Sequence, residues 1–171
     1  MKNNVIIGGL IVGALLGFAG RFLPEGMPLE VAWAVSGLGL MAAYVLLAAR
    51  HARAGQDEIA AGFVLMAIGE GALFSALASG VEGSQTAFAG GASIFLLALS
   101  FIGVPSGFAL WTRAAGVLAG VLFGAAALQI YAGQEVLATT SPVVGGAYGM
   151  LTVAIVGWII ALLRGKRTAA A

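Results

Sequence analysis

The chain has 171 residues, of which 61% are hydrophobic and 9% are charged, and its formal net charge at pH 7 is +1. A soluble domain carries about a quarter charged residues, so water would not solvate a surface of this composition, and we expect the surface to face lipid. The small net charge gives no field that would recruit nucleic acid.

The chain has no cysteine and one histidine, His51. This composition excludes disulfides, thiol chemistry, iron–sulfur clusters, cysteine-based zinc sites and bis-histidine haem within the chain. We therefore expect no metal and no cofactor.

Six apolar stretches, separated by the few charged residues, are each about long enough to cross a bilayer, which takes roughly 20 residues. They occupy nearly the whole chain and leave no soluble head. The sequence therefore predicts an all-α fold: one integral membrane domain over residues 1–171, a polytopic transmembrane bundle of six helices. The predicted spans are 5–22, 29–49, 59–79, 87–104, 114–132 and 143–163.

Helix-start signals support two of these limits. Ser141 places a capping hydroxyl before Pro142, which suits the first turn of the sixth helix. Asp57 and Glu58 place carboxylates at the positive end of the third helix.

The join between the fourth and fifth spans has two interpretations, because Pro105 removes a backbone donor and disfavours helical geometry at Val104. In one, the fourth helix kinks and continues to Trp111. In the other, which we favour, it ends near Val104, and Phe108 to Trp111 lie flat at the membrane interface.

The distribution of Lys and Arg predicts the orientation. With six spans, both termini lie on one side, together with the 2–3 and 4–5 loops. That side collects seven of the eight basic residues: Lys2, Arg50, Arg53, Arg113, Arg164, Lys166 and Arg167. The other side has one base, Arg21, and four acids: Glu25, Glu30, Glu82 and Glu135. The positive-inside rule then predicts a multi-pass protein of the inner or plasma membrane with both termini in the cytoplasm.

Glycines recur at four-residue spacing in two helices. The sets are Gly9, Gly13 and Gly17 in the first helix and Gly116, Gly120 and Gly124 in the fifth. With a looser set in the third helix, they suggest three repeated helical hairpins, although any chain rich in Gly and Ala resembles itself. Small residues at this spacing, a glycine zipper, let two helix backbones approach closely. We expect these ridges to pack helices within the bundle or against a partner, either a second copy or another membrane subunit.

Glu70 is the one ionisable residue in the middle of a predicted span. A charge there costs roughly 2.5–3.5 kcal/mol on insertion scales, so we expect the neutral acid at rest. The structural interpretation is a protonated Glu70 that donates one hydrogen bond, with Thr152 of the sixth helix as the best partner. The functional interpretation is a binding or proton site at Glu70, for which Gly69 and Gly71 leave space.

Other polar residues give weaker signals. Gln129, near the outer end of the fifth helix, is a third candidate binding residue if it lines a vestibule, although such residues are more often interfacial. His51 is expected to be a solvated loop residue. We find no catalytic constellation, since one carboxylate cannot supply acid, base and nucleophile together, and we expect no enzymatic activity.

Two function classes remain. The first is a non-enzymatic helix-packing subunit or scaffold of a membrane assembly, which the scarcity of polar side chains favours. The alternative is a channel or transporter for protons or a small neutral solute, with Glu70 as its midplane site. A water-accessible cavity that reaches Glu70 would favour transport, whereas dry packing around it would exclude transport.

Overall fold

The computed structural model describes residues 2–24, 26–77 and 85–168. Within these ranges the chain forms six helices and no strand: α1 (Lys2–Gly20), α2 (Met27–Arg53), α3 (Asp57–Leu77), α4 (Gln85–Gly103), α5 (Leu110–Tyr131) and α6 (Pro142–Thr168). All six are long and apolar enough to cross a membrane. The predicted all-α bundle of six membrane-spanning helices is therefore confirmed. The predicted end of the third span at residue 79 and the acids Glu25 and Glu82 lie outside the described residues.

The start of α5 differs from the prediction. The helix begins at Leu110 rather than at 114, so Trp111 belongs to its first turn and does not lie flat beside the bundle. Arg113, in that turn, donates hydrogen bonds to the carbonyls of Gly103 and Val104, at the end of α4. These bonds satisfy carbonyl groups that lack a partner within their own helix, and they hold the first turn of α5 against the end of α4.

The six helices form a ring. Each packs against the next helix in the chain, α1 also contacts α6, and no other pair of described helices comes as close. Neighbouring helices are antiparallel: Gly9 of α1 lies against Gly39 of α2, whereas Gly20 lies against Trp33. The α1–α6 contact is the least extensive of the six. We call the end of the bundle that carries both termini the terminal end, and the opposite end the loop end.

The predicted glycine ridges lie at helix contacts inside the chain. A Cβ added to Gly9 would lie 2.6 Å from the carbonyl oxygen of Gly39, and one added to Gly17 would lie 2.9 Å from the hydroxyl of Ser36. Gly13 faces Leu40 in the same way. The absence of side chains along this ridge therefore allows α1 to approach α2 closely.

The second ridge, on α5, faces the preceding helix. A Cβ on Gly120 would lie 3.2 Å from Leu99, and one on Gly124 would lie 2.8 Å from Leu96, both on α4. Gly116 lies between α4 and α6, 3.9 Å from Leu99 and from Ala154 by the same measure. The ridge of α1 thus faces the following helix and the ridge of α5 the preceding one, so the hairpins do not use their glycines in the same way.

Aromatic side chains fill the ring toward the terminal end. We call Tyr44, Phe63, Phe108 and Trp158 the aromatic cluster. The ring centroids of Phe63 and Trp158 are 5.1 Å apart, and those of Tyr44 and Trp158 are 6.2 Å apart. Phe108 packs at 6.3 Å from Phe63 and at 6.4 Å from Trp158. Because these side chains come from α2, α3, α6 and the α4–α5 connection, they link α6 to α2 and α3, which it does not contact through its backbone.

Candidate functional site

A cavity of about 220 Å³ lies inside the ring toward the loop end. Its walls come from α1, α2, α3, α4, α6 and the α5–α6 loop (residues 132–141), whereas no described residue of α5 lines it. The lining runs from Arg21 and Glu30 at the loop end down to Glu70 and Thr152 within the bundle. One water needs only about 10–15 Å³, so this space holds several waters or a small solute.

Glu70 lies at the deep end of this cavity. Its side chain is 6% exposed, and it is seven residues from the end of α3 at Leu77, roughly 10 Å at 1.5 Å per residue. Gly37 of α2 is opposite: a Cβ added there would lie 3.8 Å from Oε2 of Glu70. Gly37 therefore leaves room beside the carboxyl group.

The carboxyl group of Glu70 has no hydrogen-bond or ion-pair partner among the described residues. The expected bond to Thr152 does not form. Thr152 lines the same cavity, but its hydroxyl donates to the carbonyl of Tyr148, one turn earlier on α6, at 2.8 Å. A threonine inside a helix commonly makes this local bond, and no hydrogen bond from Glu70 to the Thr152 hydroxyl accompanies it. Burial of a polar group without a partner is costly.

Two other polar side chains of the lining are already paired. Ser36 of α2 donates to the carbonyl of Gly13 of α1 at 2.7 Å. Arg21 donates to the carbonyls of Thr139 and Ser141 in the α5–α6 loop, at 3.1 and 3.5 Å. The guanidinium of Arg21 is therefore held at the rim of the cavity.

A second anchor fixes the α5–α6 loop from the other side. Gln85, at the start of α4, donates to the carbonyl of Val136 at 3.1 Å and accepts from its backbone N–H at 3.3 Å. Val136 is buried. Together with Arg21, these bonds tie the loop across the loop end of the cavity, with one attachment just after the end of α1 and one at the start of α4.

The walls between the rim and Glu70 are apolar and partly aromatic. The aromatic residues of the lining are Phe18, Trp33, Phe74, Phe88 and Tyr148. Aliphatic side chains of α2, α3 and α6 complete the walls, among them Leu40, Leu73, Leu151 and Ile155. Apolar walls with few convergent polar groups are typical of small-molecule sites.

The aromatic cluster separates the cavity from the terminal end. Leu40 and Ile155 are the last lining residues of α2 and α6, and Tyr44 and Trp158 follow about one turn further on. The Tyr44 hydroxyl and Trp158 Nε1 are both buried, and neither has a hydrogen-bond partner. Next toward the terminal end, His51 stacks on Phe63 at 5.5 Å and its Nδ1 lies 2.6 Å from Oε1 of Gln56.

The structure brings Glu70 and Thr152 together at one cavity but not Gln129. Gln129 is on α5, away from the described lining of the cavity, so it does not form a vestibule that leads to Glu70. Within the described part of the chain, no three His, Asp or Glu side chains are grouped as metal ligands would be.

Sequence reasoning missed three residues that shape the site: Gly37, Gln85 and Tyr148. Gly37 leaves space beside Glu70, Gln85 anchors the loop, and Tyr148 forms part of the wall. A glycine outside a regular ridge and a glutamine at a helix start carry no distinctive signal of their own. Comparison with known proteins adds no assignment: no family model, no curated protein and no solved structure matches the chain.

Proposed function

We propose that this protein is a membrane transporter for a small solute, with Glu70 as its binding site, and that it carries out no catalysis. The observation that carries the proposal is the cavity that reaches a buried carboxyl group without a partner. An unpaired polar group in an apolar interior is destabilising, and a bound solute would supply the missing partner. Intramembrane ionisable residues commonly mark substrate or ion pathways.

The direction of access follows from the predicted topology. If the termini are cytoplasmic, as the Lys and Arg distribution favours, the loop end is on the outer side of the plasma or inner membrane. The cavity then receives its solute from outside the cell, through the rim near Arg21 and Glu30.

The aromatic cluster supplies the second barrier that a transporter needs. Solute at Glu70 reaches the terminal end only if Tyr44 and Trp158 move apart. Their buried polar atoms lack partners in the present state, and water would supply partners once the cluster opens. In the closed state, with Tyr44 and Trp158 in contact, these two polar atoms make no hydrogen bonds, whereas in the open state water would bond to them. This difference lowers the free-energy cost of opening the cluster.

Cysteine accessibility tests the cavity, because the chain has no native cysteine. We compare Thr152→Cys, inside the cavity, with Val153→Cys, its neighbour at the same depth, which is 40% exposed on the outside of the bundle and does not line the cavity. Methanethiosulfonates react with the thiolate, which forms in water but not in lipid. We expect an impermeant reagent to label Thr152→Cys from the loop-end side and to leave Val153→Cys unlabelled.

The same variant distinguishes transport from binding alone. In sealed vesicles, a transporter also exposes Thr152→Cys to reagent on the terminal-end side, at a slower rate. Labelling from the loop-end side alone would contradict transport, and labelling from neither side would contradict the cavity itself.

We propose a helix-packing subunit as the second candidate. A groove on the outside of the bundle between α2 and α3 is lined largely by alanines: Ala48, Ala49, Ala52, Ala60, Ala61 and Ala67. Small residues let a helix of another chain approach closely. Sizing in mild detergent checks this candidate: Ala61→Leu should reduce an oligomer to a monomer, whereas a monomeric wild-type protein would contradict it.

A further inference from the structure

The charges around Glu70 determine which solute can become its partner. The charged or titratable residues that line the cavity with it are Arg21, just after α1, Glu30 of α2 and Tyr148 of α6. Tyr44 of α2 lies near Glu70 in the aromatic cluster, and the part of α4 that lines the cavity contributes none. Arg21 is bonded to loop carbonyls at the rim and makes no ion pair with Glu70 among the described residues. The interior thus holds a carboxyl group and no cation of its own.

A cation is the partner that this arrangement lacks. A buried carboxylate is stable only when it is paired, whereas a bound anion would be repelled by it. The described charged residues of the loop end also favour a cation, since they are one base, Arg21, and two acids, Glu30 and Glu135. Such an excess of negative charge raises the local concentration of cations at the entrance.

The aromatic walls favour an organic cation over a metal ion. The space between Glu70 and the loop end is lined by four aromatic side chains: Trp33, Phe74, Phe88 and Tyr148. Aromatic faces attract ammonium groups that lie against them. A metal ion would need several oxygen ligands, but Glu70 is the one carboxylate at this depth in the described lining. An alkylammonium has an apolar body that suits the aliphatic walls.

The size of the cavity limits the solute. Its volume of about 220 Å³ is below the roughly 300–1,000 Å³ of pockets for drug-sized ligands. One compact ammonium ion with a single small ring or short alkyl groups fills this space.

We propose that the solute is a small organic ammonium ion that exchanges for the proton of Glu70, an inference that rests on the proposed transport function. When the cation binds, the O–H bond of the Glu70 carboxyl group breaks and the proton leaves through the rim to water. The carboxylate that remains pairs with the ammonium. The charge of the site is the same before and after the exchange, so no uncompensated charge is left in the membrane interior.

Proton release on binding tests this exchange. The full chain in lipid nanodiscs is titrated in weakly buffered solution with phenyltrimethylammonium, whose positive charge does not depend on pH. Tert-butylbenzene, its uncharged isostere, is the matched ligand. We expect phenyltrimethylammonium to bind with release of one proton per cation. When bound, radiolabelled phenyltrimethylammonium is displaced by competition, we expect half-displacement to need at least a tenfold higher concentration of the isostere than of the unlabelled cation.

Two carboxylate variants identify the source of the proton. Glu70→Gln should abolish proton release and weaken cation binding at least tenfold, because an amide has no acidic proton and cannot become a carboxylate. Glu58→Gln, which removes an exposed carboxylate at the terminal end, away from the cavity, should keep both proton release and cation binding. Release that persists in Glu70→Gln would overturn the exchange.

The ligand pair separates the two proposals. If the isostere binds and the cation does not, the solute site stands and the ammonium assignment fails. If neither ligand binds and Thr152→Cys stays unlabelled, both proposals fail together. If the cavity is labelled but phenyltrimethylammonium does not bind, the ammonium assignment alone is overturned.

Discussion

The two halves of the bundle are built from the same apolar helices but are filled differently. Toward the terminal end, the ring centroids of Tyr44, Phe63 and Trp158 lie 5.1 to 6.2 Å apart, and all three side chains are fully buried. Toward the loop end, the same ring of helices encloses a cavity of about 220 Å³. One half is therefore closely packed, which we call the packed half, and the other contains open space, which we call the cavity half.

Polar groups follow the same division. In the packed half, the Tyr44 hydroxyl and Trp158 Nε1 are enclosed without partners, which is a cost that close packing has to offset. In the cavity half, the carboxyl group of Glu70 has no partner among the described residues, and it faces open space. A partner can reach Glu70 without a rearrangement of the helices, whereas it reaches Tyr44 only if the aromatic cluster opens.

A matched pair of phenylalanines on α3 tests this division. Phe63 is fully buried in the aromatic cluster, and Phe74, three turns further on, is 39% exposed beside the cavity. We expect Phe63→Ala to lower the free energy of unfolding by about 3–5 kcal/mol, because it leaves a void in a packed region. Phe74→Ala should cost less than about 1 kcal/mol, since it enlarges a space that already exists.

Unfolding in mixed micelles of increasing sodium dodecyl sulfate content measures both values. Equal losses for the two variants would show that the halves are packed alike and would contradict the comparison.

A matched pair of glycines gives a smaller expected effect. A methyl group at Gly9 would lie 2.6 Å from a backbone carbonyl oxygen, that of Gly39, whereas at Gly37 its closest neighbours are Phe74 at 3.7 Å and Glu70 at 3.8 Å. We expect Gly9→Ala to destabilise the bundle by about 1–3 kcal/mol, because the backbone of α2 has to shift. Gly37→Ala should leave stability unchanged, since ordinary van der Waals contact fits there.

Solute binding should show the reverse of the stability result, with Gly37→Ala affected and Gly9→Ala not. Gly37→Ala places its methyl group beside Glu70 and should weaken solute binding, whereas Gly9→Ala, distant from the cavity, should not. Thermal unfolding and a titration with phenyltrimethylammonium report the two properties separately. A Gly9→Ala protein as stable as the wild type would show that α1 and α2 do not depend on their close approach.

Much of the fold could be predicted from sequence because the bilayer imposes strict length and polarity requirements. Six apolar stretches and seven clustered bases are visible without coordinates. The predicted start of α5 is wrong because a tertiary contact helps to determine it. The helix begins at Leu110, where Arg113 can bond to the end of α4, and no local sequence pattern predicts this bond.

The candidate site was predictable only in part. Glu70 stands out because a carboxyl group in an apolar span is rare. The cavity around it depends on where five helices and a loop meet, and Gly37 and Gln85 contribute to it through long-range neighbours. Gln129 had the right polarity and depth, but it belongs to the one helix whose described residues do not line the cavity.

The smallest predicted effect on the stability of the bundle concerns the α5–α6 loop, which covers the cavity half. Gln85→Ala removes two hydrogen bonds to Val136. A typical bond of this kind contributes about 0.5–1.5 kcal/mol. The loss of two should therefore let the loop open more often, and we expect Thr152→Cys to be labelled roughly 5- to 150-fold faster. Thr86→Ala, an exposed neighbour with no hydrogen bond to the loop, is the control and should leave the rate unchanged.

Because the loop is also held by Arg21, the bundle itself should remain as stable as the wild type. A labelling rate that Gln85→Ala does not change would mean that solute enters elsewhere, and the α1–α6 seam, the least extensive helix contact, would then be the entrance to test.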